Sequence, residues 1–365
     1  MSNETGRILP MLQALEKLVR CESPTDDLAA CKRVVEVANE IAIEVLGKAA
    51  EIKEINGRPI FWWGDAKPKI VILAHLDTVW PIGSFNPIWE IDGDVLRGPG
   101  TFDMKAGFIQ ALYALKDIDG VDSSVALIAT TDEETGSNAS KDLIMEVSRS
   151  ASAVLVLEAS LDGKVKTGRK GTAMYSIKVI GKAAHAGLEP EKGINATVEI
   201  AKQILKLKDL ESIEHGTTVV PTLLKGGTTA NTVPAEATLE IDARSFNQAD
   251  LERVDRAIKA LSAENGAKLE ITGGLNRPVL EPAATKELYE IAESVAKTIG
   301  MAPLGSAEVG GSSDGNFAAA TGVRVLDGLG AVGGGAHAAN EWVSVKSLKK
   351  QSDFLHAFIK ELLTR

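Results

Sequence analysis

The chain has 365 residues, of which 44% are hydrophobic and 25% are charged, and its formal net charge is −10. The composition is that of a folded globular protein, and the length favours two domains because single hydrophobic cores stop growing at about 250–300 residues. The acidic balance argues against a nucleic-acid partner, which would require clustered Lys and Arg side chains.

Helical and strand-like patterns alternate in the first part of the chain. Apolar residues recur at helical spacing at 8–19, 28–46, about 105–116 and about 140–147. Apolar runs rich in β-branched residues predict buried strands at 69–74, 125–129 and 153–157. This alternation predicts an α/β sheet that is covered by helices on both faces.

The pattern changes from about residue 171 onward. Strands of alternating polarity are predicted at 172–180, 237–243 and 268–271, and helices at about 194–207 and 248–261. The α/β pattern resumes with a helix at about 285–299, a strand at 323–326 and a last helix at about 345–363. We therefore predict a discontinuous α/β domain, residues 1–170 and 281–365, that is interrupted by an inserted α+β domain, residues 171–280.

The cysteines and the apolar runs bear on the compartment. Cys21 and Cys31 are the only cysteines, so no disulfide framework is expected and a reducing compartment is favoured. The first ten residues lack the pattern of a signal peptide, and no apolar run reaches the roughly 20 residues of a membrane helix. We expect a cytoplasmic protein without a membrane partner.

Histidine and acidic side chains follow the predicted strands or lie in loops. They are His75 and Asp77 after the first strand, Asp103 in a glycine-rich loop, Glu133 and Glu134 after the second strand, Glu158 after the third, and His337 in a late glycine-rich turn. Because ligands bind beyond the carboxyl ends of the strands in open α/β sheets, several of these side chains should converge. Two histidines and several carboxylates suit Zn²⁺, with Mn²⁺ or Co²⁺ as alternatives.

Two of these side chains can support the metal ligands. Alternation along the strand places His75 and Asp77 on the same side, so Asp77 can accept the imidazole N–H that does not face a metal. The adjacent Glu133 and Glu134 can divide the roles of general base and metal ligand.

Other interpretations of these patterns remain open. Taken singly, a strand-end Asp or Glu is more often a helix cap or a solvated loop residue, and a lone histidine is more often a core residue. The run GLGAVG at 328–333 matches a dinucleotide-binding fingerprint, but the helix and parallel strand that should follow it are missing. A catalytically inactive binding module would be expected to lose ligands, and all of them are present.

The motifs HLDTV, GPGTFDMKAG, TTDEETGS, KAAHAG and GGGAHA, with the strand that ends at Glu158, resemble the M20 metallopeptidases over nearly the whole chain. The likeness is greatest to the glutamate carboxypeptidase (carboxypeptidase G2-like) branch. It implies a zinc-exopeptidase-like catalytic domain and an inserted lid and dimerisation domain, with a four-stranded antiparallel sheet and two helices. The implied function is hydrolysis of an amide bond next to a C-terminal amino-acid carboxylate. An N-acyl amino-acid deacylase or a dipeptidase is the alternative.

The resemblance also implies roles for individual residues. His75, Asp103 and Glu158 would hold one metal ion, and Asp103, Glu134 and His337 the other, so Asp103 would bridge two divalent ions. Glu133 would be the general base and acid. The peptide bond between Asp103 and Met104 would be cis.

In the inserted domain, the resemblance implies that His185 polarises the scissile carbonyl from the partner subunit of a homodimer. Asn231 and Arg244 would contact the substrate carboxylate, and the segment 310–314 would lie near the substrate, which is a small peptide or an N-acyl amino acid. Without the resemblance, Arg244 could form a salt bridge on a strand face, and His185 could be a plain loop residue. His215 and His356 carry no motif and are expected to be surface or helix residues.

Overall fold

A computed structural model describes residues 4–214 and 216–365, so His215 lies outside the described residues. The chain forms two compact units. The first contains the described residues up to Gly168 together with Glu281–Val309 and Ser313–Arg365, and the second contains Arg169–Leu280 and Gly310–Ser312. None of the described helices is both long enough and apolar enough to span a bilayer.

The secondary structure alternates along the first unit and is mainly antiparallel in the second. Helices α1 to α9 span, in chain order, Glu4–Arg20, Leu28–Leu46, Ala106–Leu115, Lys141–Ser150, Ala196–Lys208, Gln248–Lys259, Pro282–Thr298, Asp314–Ala319 and Val345–Thr364. Strands β1 to β16 span Glu51–Ile55, Arg58–Gly64, Ile70–His75, Glu90–Asp92, Val95–Arg97, Val125–Thr130, Ala153–Val156, Val165–Arg169, Gly171–Ile180, Thr218–Gly226, Glu236–Ser245, Lys268–Arg277, Ser306–Val309, Val325–Leu326, Gly333–Gly334 and Trp342–Ser344.

The main sheet of the first unit has six strands in the order β1-β2-β6-β3-β7-β14. Strands β6, β3, β7 and β14 are mutually parallel, whereas β1 and β2 form an antiparallel hairpin at one edge. The three predicted apolar strands are β3, β6 and β7, and every residue in them is buried. Parallel strands with both faces buried explain why their sequences are continuously apolar.

Helices cover both faces of this sheet, as predicted. Ile70 and Ile72 of β3 join a large core with apolar residues of α1, α2, α3, α7 and α9. On the other face, Val156 of β7 is buried under α8, where a Cβ on Gly315 would lie 3.0 Å from it. The predicted α/β class is therefore confirmed. His356 lies in α9, where its Nδ1 is 2.8 Å from the carbonyl oxygen of Ala114.

A second sheet of the first unit has the order β15-β16-β5-β4 and consists of very short strands. Strands β15 and β16 form a hairpin whose loop, residues 335–341, contains His337. Trp342 of β16 pairs with Arg97 of β5, directly before the loop that carries Asp103. Two loops that are far apart in sequence are therefore held side by side by backbone hydrogen bonds.

The sheet of the second unit is antiparallel throughout, in the order β10-β11-β9-β12. Alternate residues of β9, such as Tyr175 and Ile177, pack with α5 and α6 in a separate core, which confirms the predicted α+β pattern. Arg169 and Leu280, at the two ends of the long segment of this unit, exchange both backbone hydrogen bonds.

Candidate functional site

Asp103 lies at the centre of the candidate site and faces two imidazole rings. Its Oδ1 is 3.3 Å from His75 Nε2, and its Oδ2 is 3.3 Å from His337 Nε2. Glu158 Oε1 is 3.6 Å from His75 Nε2, and Glu134 Oε2 is 3.0 Å from His337 Nε2. The structure therefore brings together all five side chains that were expected to bind metal, with one oxygen of Asp103 on each side.

The main sheet explains half of this arrangement. His75 is the last residue of β3, and Glu158 follows the neighbouring strand β7. Glu133 and Glu134 lie in the turn after β6, on the other side of β3. Carboxyl ends of parallel neighbours meet at one edge of a sheet, so the order β6-β3-β7 places these side chains together.

Asp103 and His337 come from irregular backbone. The peptide bond between Asp103 and Met104 is cis, as the resemblance implies. His337 adopts a φ of +60° in the loop between β15 and β16, and its side chain is 53% exposed. The other four candidate ligands are much less exposed, so His337 lies at the open side of the site.

The side chains form two groups in which all potential ligand atoms lie within 4.8 Å of one another. One group contains Asp103, Glu134 and His337, as expected for the second metal. The other contains His75, Glu158 and Glu133, the residue that was expected to be the general base. Glu133 thus completes this group, and Asp103, which belongs to the other group, is also 3.3 Å from His75 Nε2.

Asp77 connects the strand that carries His75 to the turn that carries Glu134. Its buried Oδ2 accepts hydrogen bonds from Thr25 Oγ1 (2.8 Å) and from the backbone N–H of Glu134 (3.2 Å). His75 Nδ1 is 3.1 Å from the backbone carbonyl oxygen of Asp77 and 3.5 Å from its Oδ1. The nearer acceptor for the imidazole N–H is therefore the backbone carbonyl rather than the carboxylate. Either acceptor keeps the proton on Nδ1 and leaves Nε2 as the ligand atom.

The electrostatics of the site favour bound cations. Burial alone would lower the pKa of His75, but hydrogen bonds to Asp103 and Asp77 raise it well above its ordinary value. Hydrogen bonds to Asp103 and Glu134 raise the pKa of His337 to about 10. Burial opposes ionisation of Asp103, yet hydrogen bonds from both histidines hold its pKa well below its usual range. Because metal ions bind neutral imidazole and ionised carboxylate, the same attraction favours divalent cations in place of these protons.

Two buried charged residues that the sequence did not single out as functional flank Asp103. The carboxylate of Glu341 accepts hydrogen bonds from the backbone of the Asp103 loop and from Trp80. Lys105 Nζ donates to the carbonyl oxygens of Leu18 (3.2 Å) and Cys21 (3.1 Å), and burial lowers the pKa of this lysine to about 8. The sequence could have indicated these two residues only by their closeness to expected ligands. Glu341 lies four residues after His337, and Lys105 lies two residues after Asp103.

Two glycines allow other segments to pack closely against the backbone before Glu158. An ideal Cβ on Gly107 of α3 would lie 2.3 Å from the carbonyl oxygen of Leu157, and one on Gly330 would lie 2.1 Å from the same oxygen. Gly330 also donates its N–H to the carbonyl oxygen of Glu158. The run 328–333 thus packs against the end of β7 and leads into β15, with no helix in the position that a dinucleotide fingerprint requires.

In the second unit, His185 and Asn231 lie on neighbouring segments. The N–H of Ala186 donates to the carbonyl oxygen of Asn231, and His185 forms a backbone bridge with Thr232. The exposed ring of His185 accepts a hydrogen bond at Nδ1 from the backbone N–H of Gly187 (3.1 Å). This contact favours the tautomer with the proton on Nε2, which can donate to a carbonyl oxygen.

Arg244 lies on β11 and is partly engaged within the second unit. Its Nε and Nη2 each donate to the carboxylate of Asp242 at 2.9 Å, and its Nη1 donates to the carbonyl oxygen of Gly310 at 3.1 Å. The salt bridge on the strand face is therefore present. A guanidinium has five N–H donors, so these contacts with described residues use three of them. Gly310 begins the glycine-rich segment that was expected near the substrate.

Comparisons with known proteins give a consistent result. The family model described as Peptidase family M20/M25/M40 matches residues 71–361. Carboxypeptidase G2 of Pseudomonas sp. is 30% identical over 361 residues, which cover 93% of this chain and 86% of that protein. Succinyl-diaminopimelate desuccinylase of Methylococcus capsulatus is 26% identical, over 95% of this chain and 97% of that protein.

Solved structures share the fold. Aminopeptidase PepT from Bacillus cereus superposes with a TM-score of 0.76 at 24% identity, over 98% of this chain and 99% of that one. The Bacillus subtilis YXEP protein, described as a dinuclear metal binding peptidase, has a TM-score of 0.66 at 16% identity, again over 98% of this chain and 99% of that one. At these identities the structural likeness establishes the fold alone.

Proposed function

Because the chain belongs to peptidase family M20/M25/M40 and is a metallopeptidase of that family, we propose that it cleaves the amide bond next to a C-terminal amino-acid carboxylate, as a glutamate carboxypeptidase does. The observation that carries the proposal is the position of Asp103. Its two oxygens face two separate groups of histidine and carboxylate ligands, each 3.3 Å from an imidazole nitrogen. A shared carboxylate is what two metal ions a few ångström apart require.

His75, Asp103 and Glu158 would hold the first proposed ion, and Asp103, Glu134 and His337 would hold the second. Zinc fits imidazole nitrogen and carboxylate oxygen ligands, and cobalt or manganese are the alternatives. When bound, the two ions polarise the scissile carbonyl and lower the pKa of the attacking water.

In the proposed mechanism, Glu133 is the general base and acid. It takes the proton from the attacking water and then delivers it to the leaving amine. Its carboxylate lies within 4.8 Å of ligand atoms on both His75 and Glu158, which supports this assignment. Asp77 acts through His75, because it fixes the tautomer in which Nε2 is free to bind metal.

Substrate recognition is assigned to the second unit. Asn231 and the unused N–H groups of Arg244 would hold the substrate carboxylate, since a guanidinium donates parallel hydrogen bonds to such a group. His185 would donate a hydrogen bond from Nε2 to the scissile carbonyl of a substrate that is bound in the neighbouring subunit. A homodimer through this unit is supported by β10, an edge strand that exposes Leu223 and Leu224.

A second candidate function is N-acyl amino-acid deacylation or dipeptide cleavage by the same site. The observation that favours it is the similarity to a succinyl-diaminopimelate desuccinylase over almost the whole chain.

The two free thiols, Cys21 and Cys31, are consistent with a reducing compartment, and we infer a cytoplasmic location from them.

A hydrolysis panel tests the proposal. N-acyl glutamates, acetyl-amino acids and dipeptides would be compared with Zn²⁺, Co²⁺ and Mn²⁺, and the highest kcat/KM is expected for a substrate with C-terminal glutamate. Faster turnover of acetyl-amino acids or dipeptides would favour the second candidate. No turnover of any of them by the fully metallated protein would refute both.

Adjacent glutamates provide a matched pair of variants for the mechanism. Glu133→Ala should retain two metal ions and lose turnover by about 10²–10⁴-fold, because general acid–base catalysis contributes that much. Glu134→Ala should instead lose affinity for one ion. Normal activity of Glu133→Ala with its metal content confirmed would refute the assignment of the base.

A further inference from the structure

We propose that Glu341 is a positioning residue for the second metal ion, because its carboxylate fastens the loop that carries Asp103 to the hairpin that carries His337. The inference rests on the two-metal function proposed above. Glu341 is not proposed as a ligand or as a catalytic residue. It would act through the backbone of the two loops that present the ligands.

The carboxylate of Glu341 accepts four hydrogen bonds. Its Oε1 accepts from the backbone N–H groups of Phe102 (2.8 Å) and Asp103 (3.0 Å). Its Oε2 accepts from the backbone N–H of Gly100 (3.0 Å) and from Trp80 Nε1 (3.0 Å). An ionised carboxylate has about four acceptor positions, so these donors satisfy it completely.

A buried anion needs such a set of donors. Glu341 is 1% exposed, and burying a charge without hydrogen bonds or a partner is strongly unfavourable. The backbone of the Asp103 loop supplies three of the donors because Gly100 adopts a φ of +69°. A Cβ on Gly100 would also lie 2.5 Å from Thr78 Cγ2. The loop is therefore an anion-binding concavity that the protein's own glutamate occupies.

The contacts of Glu341 bear more on the second ion, because two of its three proposed ligands lie on the fastened loops, whereas only Asp103 of the first ion's ligands does. Asp103 donates its own N–H to Glu341, and His337 lies four residues before Glu341 in the same hairpin loop. His337 is exposed and projects from a short hairpin, whereas His75 is fixed at the end of a buried strand. Loss of the anchor should therefore displace His337 and Asp103 relative to Glu134 more than it affects His75.

Glu341→Gln is the decisive variant because it keeps the shape of the side chain. The amide has one acceptor oxygen, and its NH₂ group would face two of the four N–H donors. Trp80→Phe is a milder second variant that removes one donor and keeps an aromatic ring. The matched control is Glu199→Gln in the second unit, a glutamate that is 2% exposed and accepts hydrogen bonds from Gln203 and Glu264.

The readout is metal binding, measured by titrating Zn²⁺ into metal-free protein with a competing chelator, and by the visible spectrum of the Co²⁺ form. The wild type and the control should bind two ions. Glu341→Gln should bind the second ion about 10–100-fold more weakly, the usual effect of removing groups that orient ligands, with the first changed less than about threefold. Trp80→Phe should weaken binding of the second ion about fivefold, less than Glu341→Gln, because it removes one of the four donors and leaves the carboxylate in place.

Urea unfolding of the metal-free variants shows whether each one is folded. If Glu341→Gln is unfolded, the metal affinities of Trp80→Phe test the positioning role instead. An unchanged affinity for the second ion, or an equal loss of affinity for both ions, would overturn the positioning role. A wild type that binds fewer than two ions would overturn the two-metal function itself, and the inference with it.

Discussion

Gly107→Ala should destabilise the protein, although alanine is the better helix former. In an exposed helix, this substitution stabilises by about 1 kcal/mol. Here, the new Cβ would lie 2.3 Å from the carbonyl oxygen of Leu157, and ordinary contact begins at 3.4 Å. Helix α3 and the end of β7 would have to separate by about 1 Å. Overpacking of this kind costs about 1–3 kcal/mol, and backbone is less able to move than a side chain, so we expect a net loss of about 2 kcal/mol.

The same displacement should reach the metal site. Leu157 directly precedes Glu158, and Gly330 also packs on the same carbonyl oxygen, with an ideal Cβ only 2.1 Å away. A shift of this carbonyl would therefore also disturb its close contact with Gly330 and the position of the adjacent Glu158. A misplacement of about 1 Å can cost about 100-fold in catalysis, so kcat/KM should fall by more than the loss of stability explains.

The assay is urea unfolding of the metal-free protein, followed by the fluorescence of its five tryptophans, together with kcat/KM of the metallated form. Gly330→Ala should behave like Gly107→Ala. The control is Gly310→Ala, because a Cβ there would meet nothing within 4 Å, and its stability should change by less than about 0.5 kcal/mol. A Gly107→Ala protein as stable as the wild type, or more stable, would refute the steric argument.

Three further predictions concern single side chains. Asp77→Asn should weaken metal binding by about 10-fold, the low end of the effects of removing groups that orient metal ligands, because the backbone carbonyl still holds His75. Metal affinity would be measured by chelator competition, and an unchanged value would show that the carboxylate is dispensable. Iodoacetamide at pH 8 should add at most one group to the folded protein, since burial raises the pKa of Cys31 to about 11; a second adduct besides Cys21, seen by intact mass, would contradict this. Arg244→Lys should raise KM about 10-fold or more for substrates with a free C-terminal carboxylate but not for their C-terminal amides, and equal effects on both would exclude carboxylate recognition.

The sequence predicts the central strands well because they are buried on both faces. β3, β6 and β7 are continuously apolar, so periodicity and length identify them. The β1–β2 hairpin was missed, although Asn56 and Gly57 form its turn with positive φ at both positions. An Asn-Gly pair between strands is the strongest short-range hairpin signal, so this element could have been predicted from the chain.

In the candidate site too, residues at the ends of buried strands were predictable in position, and residues in irregular loops were not. His75 and Glu158 are predictable in position because neighbouring parallel strands end at one edge. The loops of Asp103 and His337 are adjacent because strands of two and three residues pair, as Trp342 does with Arg97, and because Glu341 joins them. Such strands leave no periodicity to detect. Only the resemblance of the motifs indicated that these loops meet, and it gave no indication of Glu341.

The paired ends of the second unit have a consequence for how this chain can be altered. Arg169 and Leu280 exchange both backbone hydrogen bonds, so the two ends of the long segment of this unit lie side by side. A segment whose own ends are equally close could therefore replace what lies between them without moving the flanking chain, and the stretch Gly310–Ser312 would stay as it is. The corresponding segment of a relative with another substrate could be transplanted at these two residues, and the resulting chimaera would show whether selectivity travels with the insert.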